Sequence, residues 1–406
     1  MAVVILIFII FLVSTLLQLI WLLIVFSRLA FYTNPIRRHG PSPKATAVGE
    51  RLGPWSVAIG ASDHRRPETE NKKDPAHLEA VSVIICAHNE LPNLKQLIPA
   101  LVTQNHPNFE LIIVDDRSKD GTTEWLQSLH FPELTLKLIT VSNCPQGQNP
   151  KKHALIKGIN AATHDLILLT DADCYPESNS WISLMSKKFQ GNIQIVLGYS
   201  GYESRPGLLN KLIRYETIMT AIQYISRALN KNPYMGVGRN LCYRKSYFLQ
   251  VNGLQEVLHI TGGDDDLFVN KYATGENTTV CLDHGSFMVS KPKQTWRAYF
   301  RQKKRHLSVG KYYTMNDQLV LGIFSVTHII FWSSLVSLLI TSTLVNWVVA
   351  GFLVRQLALS LVVEKSSRKL GDHFNISHVP FLDFLYSLFY LYTGIATWSS
   401  NKVKWH

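Results

Sequence analysis

The sequence predicts an α/β fold: a Rossmann-like, mostly parallel sheet flanked by helices, with transmembrane helices toward both ends of the chain. Two observations carry this prediction. Between residues 80 and 294, short β-branched segments alternate with segments of helical apolar spacing. Residues 1–27 and 318–354 contain no Asp, Glu, Lys or Arg, and a membrane span needs about 20 apolar residues.

The strand and helix segments can be assigned in order along the chain. Strands are predicted at residues 81–86, 110–114, 136–141, 165–170, 193–197 and 241–244. Helices are predicted at residues 91–104, 122–129, 152–162, 181–189 and 208–229, and another begins at residue 267. Such alternation implies parallel strands joined by right-handed crossovers. The carboxyl ends of the strands then meet at one edge of the sheet, where open α/β sheets bind ligands.

Carboxylates and lysines cluster at that predicted edge. They are Asp115 and Asp116, Lys151 and Lys152, Asp171 and Asp173, and Asp264 to Asp266. Each group alone has an ordinary structural explanation, because Asp caps helices and favours their N-termini and most lysines are solvated. Together they suit a metal-bridged diphosphate with a general base nearby, because Mg²⁺ and Mn²⁺ take oxygen ligands and share them with phosphates.

The termini and the charge indicate a membrane protein. Residues 1–27 lack the preceding basic region and the following cleavage site of a signal peptide, which favours an uncleaved anchor. Arg28, Arg37 and Arg38 follow it, so the positive-inside rule places the middle of the chain in the cytoplasm. The net charge of +12 fits anionic headgroups or anionic substrates, and no nucleic-acid motif is present. Five scattered cysteines indicate neither a disulfide framework nor a zinc site.

These patterns divide the chain into six regions. Residues 1–27 are the anchor, 28–79 a proline-rich juxtamembrane linker, and 80–294 the α/β domain. Residues 295–317 contain a basic interfacial helix with interleaved aromatic side chains. Residues 318–363 are expected to form two short transmembrane helices, with Arg355 inside or at the end of the second. Residues 364–406 hold a helix, near 380–398, that either spans the membrane or lies on it.

The motifs of the α/β domain resemble those of the family 2 glycosyltransferases, which have the GT-A fold and use nucleotide-diphosphate sugars. The segments that carry the resemblance are residues 81–90, 114–122, 151–155 and 171–173. By this resemblance, Ala87, Asn89, Glu90, Asp116, Lys151 and Asp171 would bind the nucleotide sugar. Asp171 and Asp173 would form the DxD motif and hold Mg²⁺ or Mn²⁺. Lys152 is an alternative to Lys151 in the nucleotide-site role.

Two motifs depart from the family pattern. Where the family usually has Glu-Asp-x-Asp-Leu, this chain has residues 263–267 with Gly at the first position. Alignment in register places the catalytic base at Asp264, and Asp265 remains an alternative. Where synthases have Gln-x-x-Arg-Trp, this chain has Gln302, Arg305 and His306. These three residues would face the acceptor or the diphosphate, and the histidine weakens the case for a processive synthase.

The resemblance implies an inverting transfer of a sugar from a nucleotide-diphosphate sugar to a lipid or lipid-linked glycan acceptor. It also implies a multi-pass protein of the bacterial inner membrane with a cytoplasmic catalytic domain. Two alternatives stay open: a processive polysaccharide synthase of the same family, and an inactive scaffold or nucleotide-sugar sensor. The sequence does not specify the sugar, the nucleotide base, the acceptor or the linkage.

Overall fold

A computed structural model describes residues 1–33, 78–342 and 344–398. Most of the predicted linker lies outside the described residues, as does the end of the chain after residue 398. The ten strands are β1 Val81–Ala87, β2 Phe109–Asp116, β3 Thr135–Val141, β4 Leu166–Asp171, β5 Cys174–Pro176, β6 Ile195–Leu197, β7 Ser200–Tyr202, β8 Leu241–Arg244, β9 Thr278–Val280 and β10 Met288–Ser290.

The α-helices are α1 Ala2–Ile20, α2 Ser27–Ala30, α3 Leu91–Val102, α4 Thr122–Gln127, α5 Pro150–Ala161, α6 Trp181–Ser186, α7 Leu208–Leu229, α8 Lys245–Gln250, α9 Asp266–Tyr272, α10 Trp296–Leu307, α11 Met315–Ile340, α12 Val345–Lys369 and α13 Val379–Trp398. A π-helical stretch, Trp21–Phe26, joins the first two. The predicted helices of the α/β domain, α3 to α7 and α9, begin and end close to their predicted bounds, and the short helix α8 was not predicted.

The main sheet has seven strands in the order β3-β2-β1-β4-β8-β6-β9. Strands β1 to β4 are parallel, whereas β8 runs antiparallel to both of its neighbours. The predicted parallel core is therefore confirmed, as part of a mixed sheet. A second sheet of three short strands, β5-β10-β7, which the sequence did not predict, lies beyond the carboxyl end of β4.

Helices cover both faces of the main sheet, as continuous apolar strands require. Residues of α3 and α6, including Leu97 and Trp181, pack on one face, while residues of α5 and α7, including Ile159 and Tyr215, pack on the other. Helix α5 lies so close that a Cβ on Gly158 would stand 2.8 Å from Ile84. This packing fixes the positions of the strand ends that border the site.

Among the described residues, three helical stretches are long and apolar enough to cross a membrane: Ala2–Ala30, Met315–Ile340 and Val345–Lys369. The second and third stretches together run from residue 315 to residue 369, whereas residues 318–363 were expected. They are longer because the helices continue beyond the uncharged residues 318–354. Arg355 lies inside the third, where it pairs with Asp383 of α13. Helix α13 therefore packs against these helices. The basic helix is shorter than predicted, since it ends at Leu307 and a 3₁₀ turn follows at Gly310–Tyr312.

Candidate active site

A cavity of about 850 Å³ opens at the carboxyl edge of β1, β2 and β4. It continues past the loop before α9 and along α10 toward α7, α11 and α13. Of the residues predicted for the site, eleven line it: Ala87, Glu90, Asp116, Lys151, Asp171, Asp173, Asp264, Asp265, Gln302, Arg305 and His306. Asn89 does not line the cavity, and neither does Lys152, the alternative to Lys151. The cavity thus brings together residues that lie more than 200 positions apart.

Strand register explains why the first carboxylates meet. Strand β1 lies between β2 and β4, with Ala87 opposite Asp115 and Cys86 opposite Asp171. The two acidic strand ends therefore flank the end of β1. Asp116 is 5% exposed and forms a bidentate ion pair with Arg117, at 2.8 and 2.9 Å.

Asn89 shapes the loop beside this edge. Its backbone is in the left-handed region, with φ of 56°. Its backbone N–H donates to Ser118 Oγ, and its side-chain Oδ1 accepts from the backbone N–H of Lys119 at 2.7 Å. The side chain is thereby held against the loop that follows β2.

The two adjacent lysines have different environments. Lys151 Nζ lies 3.0 Å from a carboxylate oxygen of Asp171 and 3.0 Å from one of Asp264. Lys152 instead donates to the backbone carbonyls of Val257 and Ile260, at 2.8 and 3.0 Å. Lys151 is therefore the lysine that reaches the cavity carboxylates, while Lys152 anchors the loop that leads to the acidic cluster.

The charge of Lys151 and the charges of Asp171 and Asp264 stabilise one another. Burial would lower the pKa of Lys151, but the charges of Asp171 and Asp264 raise it well above its usual range. Burial would likewise raise the pKa of Asp264, but the Lys151 ammonium outweighs this and lowers it. Lys151 therefore stays protonated and Asp264 stays ionised at neutral pH.

The next two carboxylates of the cluster behave differently. Burial, followed by the charge of Asp264, raises the pKa of Asp265, and burial followed by the charge of Asp265 raises that of Asp266. Asp265 caps α9: one oxygen accepts from the Asp266 N–H at 2.8 Å and the other from the Gly238 N–H. Both oxygens of Asp265 are thus engaged by backbone donors.

The DxD pair fits a shared divalent cation. Asp171 ends β4 and Asp173 lies in the turn before β5, where burial and the charge of Asp171 raise its pKa. Two close carboxylates that repel each other gain from a cation between them. Within the described ranges no group of three or more His, Cys, Asp or Glu side chains forms a complete metal cage. Mg²⁺ does not need one, since it commonly uses one or two carboxylates together with water and substrate phosphates.

Sequence reasoning missed Arg239, which lies in the loop between α7 and β8. Its guanidinium stacks 4.6 Å from the Tyr202 ring and donates to Ser290 Oγ at 2.7 Å. It lines the cavity, and the nearby anionic groups raise its pKa despite burial. The neighbouring Asn240 fixes the loop, because it is fully buried and bonds to Trp181 Nε1 and two backbone carbonyls. Residues 236–240 stand out in the sequence as Gly-x-Gly-Arg-Asn. The role of Arg239 depends on its contacts with Tyr202 and Ser290 of the second sheet, which the sequence did not predict.

Helix α10 forms one wall of the cavity. Gln302, Arg305 and His306 all face it, in keeping with helical neighbours three or four positions apart. Desolvation by the surrounding protein, together with the cations Lys303 and Arg305, lowers the pKa of His306 well below its usual range. His306 is therefore neutral at pH 7 and can donate or accept a hydrogen bond.

The sequence also did not predict the cavity floor on the side away from the main sheet. Glu216 of α7 forms an ion pair with Lys303 of α10, and the two side chains are 10% and 12% exposed. Residues of α7, α11 and α13 complete this floor. They are Thr217, Thr220, Ala221, Gln223, Tyr224, Gln318, Leu321, Gly322, Ser325, Tyr386, Phe389 and Tyr390.

The chain is similar in sequence to known glycosyltransferases. Residues 82–251 match the family model described as Glycosyl transferase family 2. The chain is 25% identical over 252 residues to a probable glycosyltransferase, YdaM, of Bacillus subtilis, covering 60% of this chain and 57% of that one. It is 31% identical over 117 residues to the undecaprenyl-phosphate 4-deoxy-4-formamido-L-arabinose transferase of Aeromonas hydrophila, covering 28% and 35%. The chain thus spans less than two thirds of the length of either relative.

A solved structure confirms the fold. The mannosyltransferase PcManGT from Pyrobaculum calidifontis, in complex with GDP-Man and Mn²⁺, superposes with a TM-score of 0.54 at 16% identity. The alignment covers 81% of this chain and 90% of that one. Residues 82–251 therefore form a domain of the glycosyltransferase family 2 type, in a chain with the GT-A fold.

Proposed function

We propose that this protein transfers a sugar, with inversion, from a nucleotide-diphosphate sugar to a lipid or lipid-linked glycan acceptor at the cytoplasmic face of the inner membrane. The observation that carries the proposal is one continuous cavity. It is bordered at one end by the carboxylates and Lys151 of the sheet edge, and at the other by helices α11 and α13. A donor and a membrane acceptor can meet only in such a shared space.

The donor would lie over the carboxyl edge of the sheet, as ligands do in open α/β folds. Ala87, Glu90 and Asp116 border the nucleotide end, and Asn89 supports the loop beside it. Asp173, with Asp171, would hold Mg²⁺ or Mn²⁺, which supplies charge neutralisation on the leaving diphosphate. Lys151 adds a fixed positive charge at the same point, and Arg305 borders the cavity nearby.

Asp264 is the better base of the two alternatives. It is ionised at neutral pH because Lys151 stabilises its charge, whereas both oxygens of Asp265 are already engaged by backbone N–H groups. Asp264 would accept the proton of the acceptor hydroxyl as that oxygen attacks the anomeric carbon. Asp265 would position Asp264 by capping α9 and holding the Gly238 loop.

The membrane end supports a lipid acceptor. In the part of the chain that the structure describes, three helical stretches are long and apolar enough to span a membrane, and one of them, α11, borders the cavity. The matched stretch of the Aeromonas relative belongs to a protein named for an undecaprenyl-phosphate acceptor. The positive residues after the first span favour a cytoplasmic catalytic domain.

The test is incubation of membranes that contain the full chain with a panel of labelled nucleotide sugars and a lipid extract. We expect Mg²⁺- or Mn²⁺-dependent label in the lipid fraction, and none with membranes that lack the protein. Absence of label in any lipid or glycan product would contradict the proposal. A processive synthase, the second candidate, would instead give a polymer of many sugars, so product length separates the two.

A further inference from the structure

The loop between α7 and β8 is held on both sides of Arg239. It contains a 3₁₀ turn, Gly238–Asn240. On one side of the arginine, the backbone N–H of Gly238 donates to the carboxylate of Asp265. On the other side, Asn240 is fully buried and donates hydrogen bonds of 2.8 Å to two backbone carbonyls. These contacts fix the backbone of Arg239 relative to the acidic cluster and to the second sheet.

The side chain of Arg239 is also fixed, and it borders the cavity. Its guanidinium carbon lies 4.6 Å from the centre of the Tyr202 ring, and Nη1 donates to Ser290 Oγ at 2.7 Å. A guanidinium has five N–H donors. Within the described ranges, Ser290 is the one protein group that accepts a hydrogen bond from them. The remaining donors are therefore available to a ligand in the cavity.

The contacts of β10 place Arg239 beside Asp173 of the DxD motif. The Ser290 hydroxyl that accepts from Arg239 lies 3.0 Å from the Sγ of Cys174, which follows Asp173 in the chain. The backbone carbonyl of Asp173 accepts from the N–H of Lys291, which follows Ser290. Arg239 and Asp173 are thus held against the same end of β10.

Two fixed cations therefore reach the DxD pair from different elements of the fold. Lys151 extends from α5 and lies 3.0 Å from Asp171, whereas Arg239 approaches Asp173 from the side of the second sheet. Burial and the charge of Asp171 raise the pKa of Asp173, and the charges of Lys293 and Arg239 oppose that rise. A group bound over the DxD pair meets positive charge from both the main sheet and the second sheet.

An oxyanion is the ligand that suits this arrangement. A guanidinium is planar, keeps its charge at physiological pH and presents paired N–H donors that match two phosphate oxygens. The proposed metal ion and the donor diphosphate come together at the DxD pair, so the phosphates are the anionic groups of the donor nearest to Arg239. A neutral sugar hydroxyl could accept from one of the donors, but it would leave the charge of Arg239 without an anionic partner.

We propose that Arg239 binds the donor diphosphate, at the phosphate next to the sugar, from the side of the second sheet. This inference rests on the proposed sugar transfer and adds a residue to its diphosphate site. In the reaction, the bond between the anomeric carbon and the phosphate oxygen breaks as the acceptor oxygen bonds to that carbon. The electron pair stays on the phosphate oxygen, where the guanidinium stabilises the charge, and the acceptor proton passes to the base.

Nucleotide binding tests the inference without knowledge of the sugar. The full chain, purified in detergent micelles with Mn²⁺, is titrated by calorimetry with nucleoside diphosphates and monophosphates of the common bases. The base that binds most tightly to the wild type is then used with the variants. We expect Arg239→Met to weaken diphosphate binding by about tenfold to a hundredfold and to change monophosphate binding by less than about twofold.

The other outcomes separate this inference from the proposed function. Equal diphosphate affinity in Arg239→Met and the wild type would overturn the inference and leave sugar transfer intact. Equal losses for diphosphate and monophosphate would overturn it too, since the contact would not be with the phosphate next to the sugar. If no nucleoside diphosphate binds to the wild type, the proposed function fails, and this inference fails with it.

Further variants keep the test decisive if Arg239→Met does not fold, which thermal unfolding shows. Arg239→Lys keeps the charge without the paired donors and should lose less diphosphate affinity than Arg239→Met. Ser290→Ala keeps the guanidinium but removes the hydrogen bond that orients it, and should weaken diphosphate binding by about threefold. Arg205→Met, which opens the Arg205–Glu203 pair outside the cavity, is the matched control and should bind as the wild type does. Wild-type diphosphate affinity in both Arg239→Lys and Ser290→Ala would overturn the inference.

Discussion

The two ends of the cavity are built in different ways. The donor end uses the ends of β1, β2 and β4 together with Lys151, all from a stretch of about 90 residues. The membrane end uses α7, α10, α11 and α13, which are spread from residue 208 to residue 398. The donor end is therefore specified by short motifs that parallel strands bring together, whereas the membrane end depends on how distant helices pack.

The two ends also handle charge differently. At the donor end, Lys151 bridges Asp171 and Asp264, and further negative charge would arrive with the substrate. Among the membrane helices, each buried charge has its partner within the protein: Glu216 pairs with Lys303, and Arg355 with Asp383. The cation at the donor end is therefore shared with carboxylates that a bound ligand can reach, whereas these two ion pairs of the helical end are complete within the protein.

The largest expected effect concerns the donor end. Asp173→Ala should lower sugar transfer by about a thousandfold, because the leaving diphosphate loses its neutralisation. The measurement is the initial rate of label transfer across a range of Mn²⁺ concentrations. Glu124→Gln, at an exposed position on α4, is the control and should keep wild-type activity. A wild-type rate in Asp173→Ala would show that transfer does not depend on a metal ion held by Asp173.

The membrane end should show its largest effect in stability. Asp383 is fully buried and accepts hydrogen bonds from Tyr215, Trp332, Arg355 and Gln356. Asp383→Asn leaves the Arg355 charge without its counter-ion, which should lower the free energy of unfolding by about 3–5 kcal/mol. Thermal unfolding in detergent measures this loss. The double variant Arg355→Leu with Asp383→Leu should recover most of it, and a single variant as stable as the wild type would refute the packing described.

The adjacent residues Lys151 and Lys152 should have different roles at the donor end. Lys151→Met should lower kcat by about a hundredfold, because it removes the cation shared by two carboxylates. Lys152→Met should leave kcat close to wild type but destabilise the fold by about 1–3 kcal/mol, because two buried carbonyls lose their donor. Steady-state kinetics and thermal unfolding of both variants separate the two roles. Loss of kcat in Lys152→Met alone would reverse the assignment.

The sequence predicted the donor end better than the membrane end for a physical reason. Strand ends can be located from runs of apolar residues, so the meeting of Asp116, Asp171 and Asp173 followed from parallel topology alone. The choice between Lys151 and Lys152 did not, because neighbours on a helix point about 100° apart and packing decides which one faces the cavity. The Glu216–Lys303 pair joins residues 87 positions apart, and no local pattern relates them.

The sequence also located the long helices while misjudging their lengths. Helix α7 has the predicted bounds, since apolar spacing continues throughout it. Helix α11 begins before the uncharged residues 318–354, and its Asp317 has a buried partner in Arg227. Helix α12 ends after them, and its Arg355 has a buried partner in Asp383. Buried charges that are paired by tertiary contacts do not end a helix, and a count of charges along the sequence cannot reveal such pairs.

A pH profile gives the smallest expected effect. Transfer is lost as pH falls through the pKa of the base, since the base must be ionised to accept a proton. The Lys151 ammonium lowers the pKa of Asp264, so in Lys151→Met the effect of burial should raise that pKa. The acid limb of kcat should therefore move to higher pH by about one unit, while Lys152→Met keeps the wild-type limb. An unchanged limb in Lys151→Met would show that another group is the base.

The last experiment compares Asp264→Asn with Asp265→Asn in lipid transfer assays, with nucleotide-sugar binding measured alongside. The claim is that Asp264 activates a membrane acceptor inside the shared cavity. It predicts that Asp264→Asn lowers transfer by about a hundredfold while donor binding is retained. Asp265→Asn should cost far less, because it weakens a helix cap and leaves the base in place. Full transfer by Asp264→Asn would contradict the claim, whichever result Asp265→Asn gave.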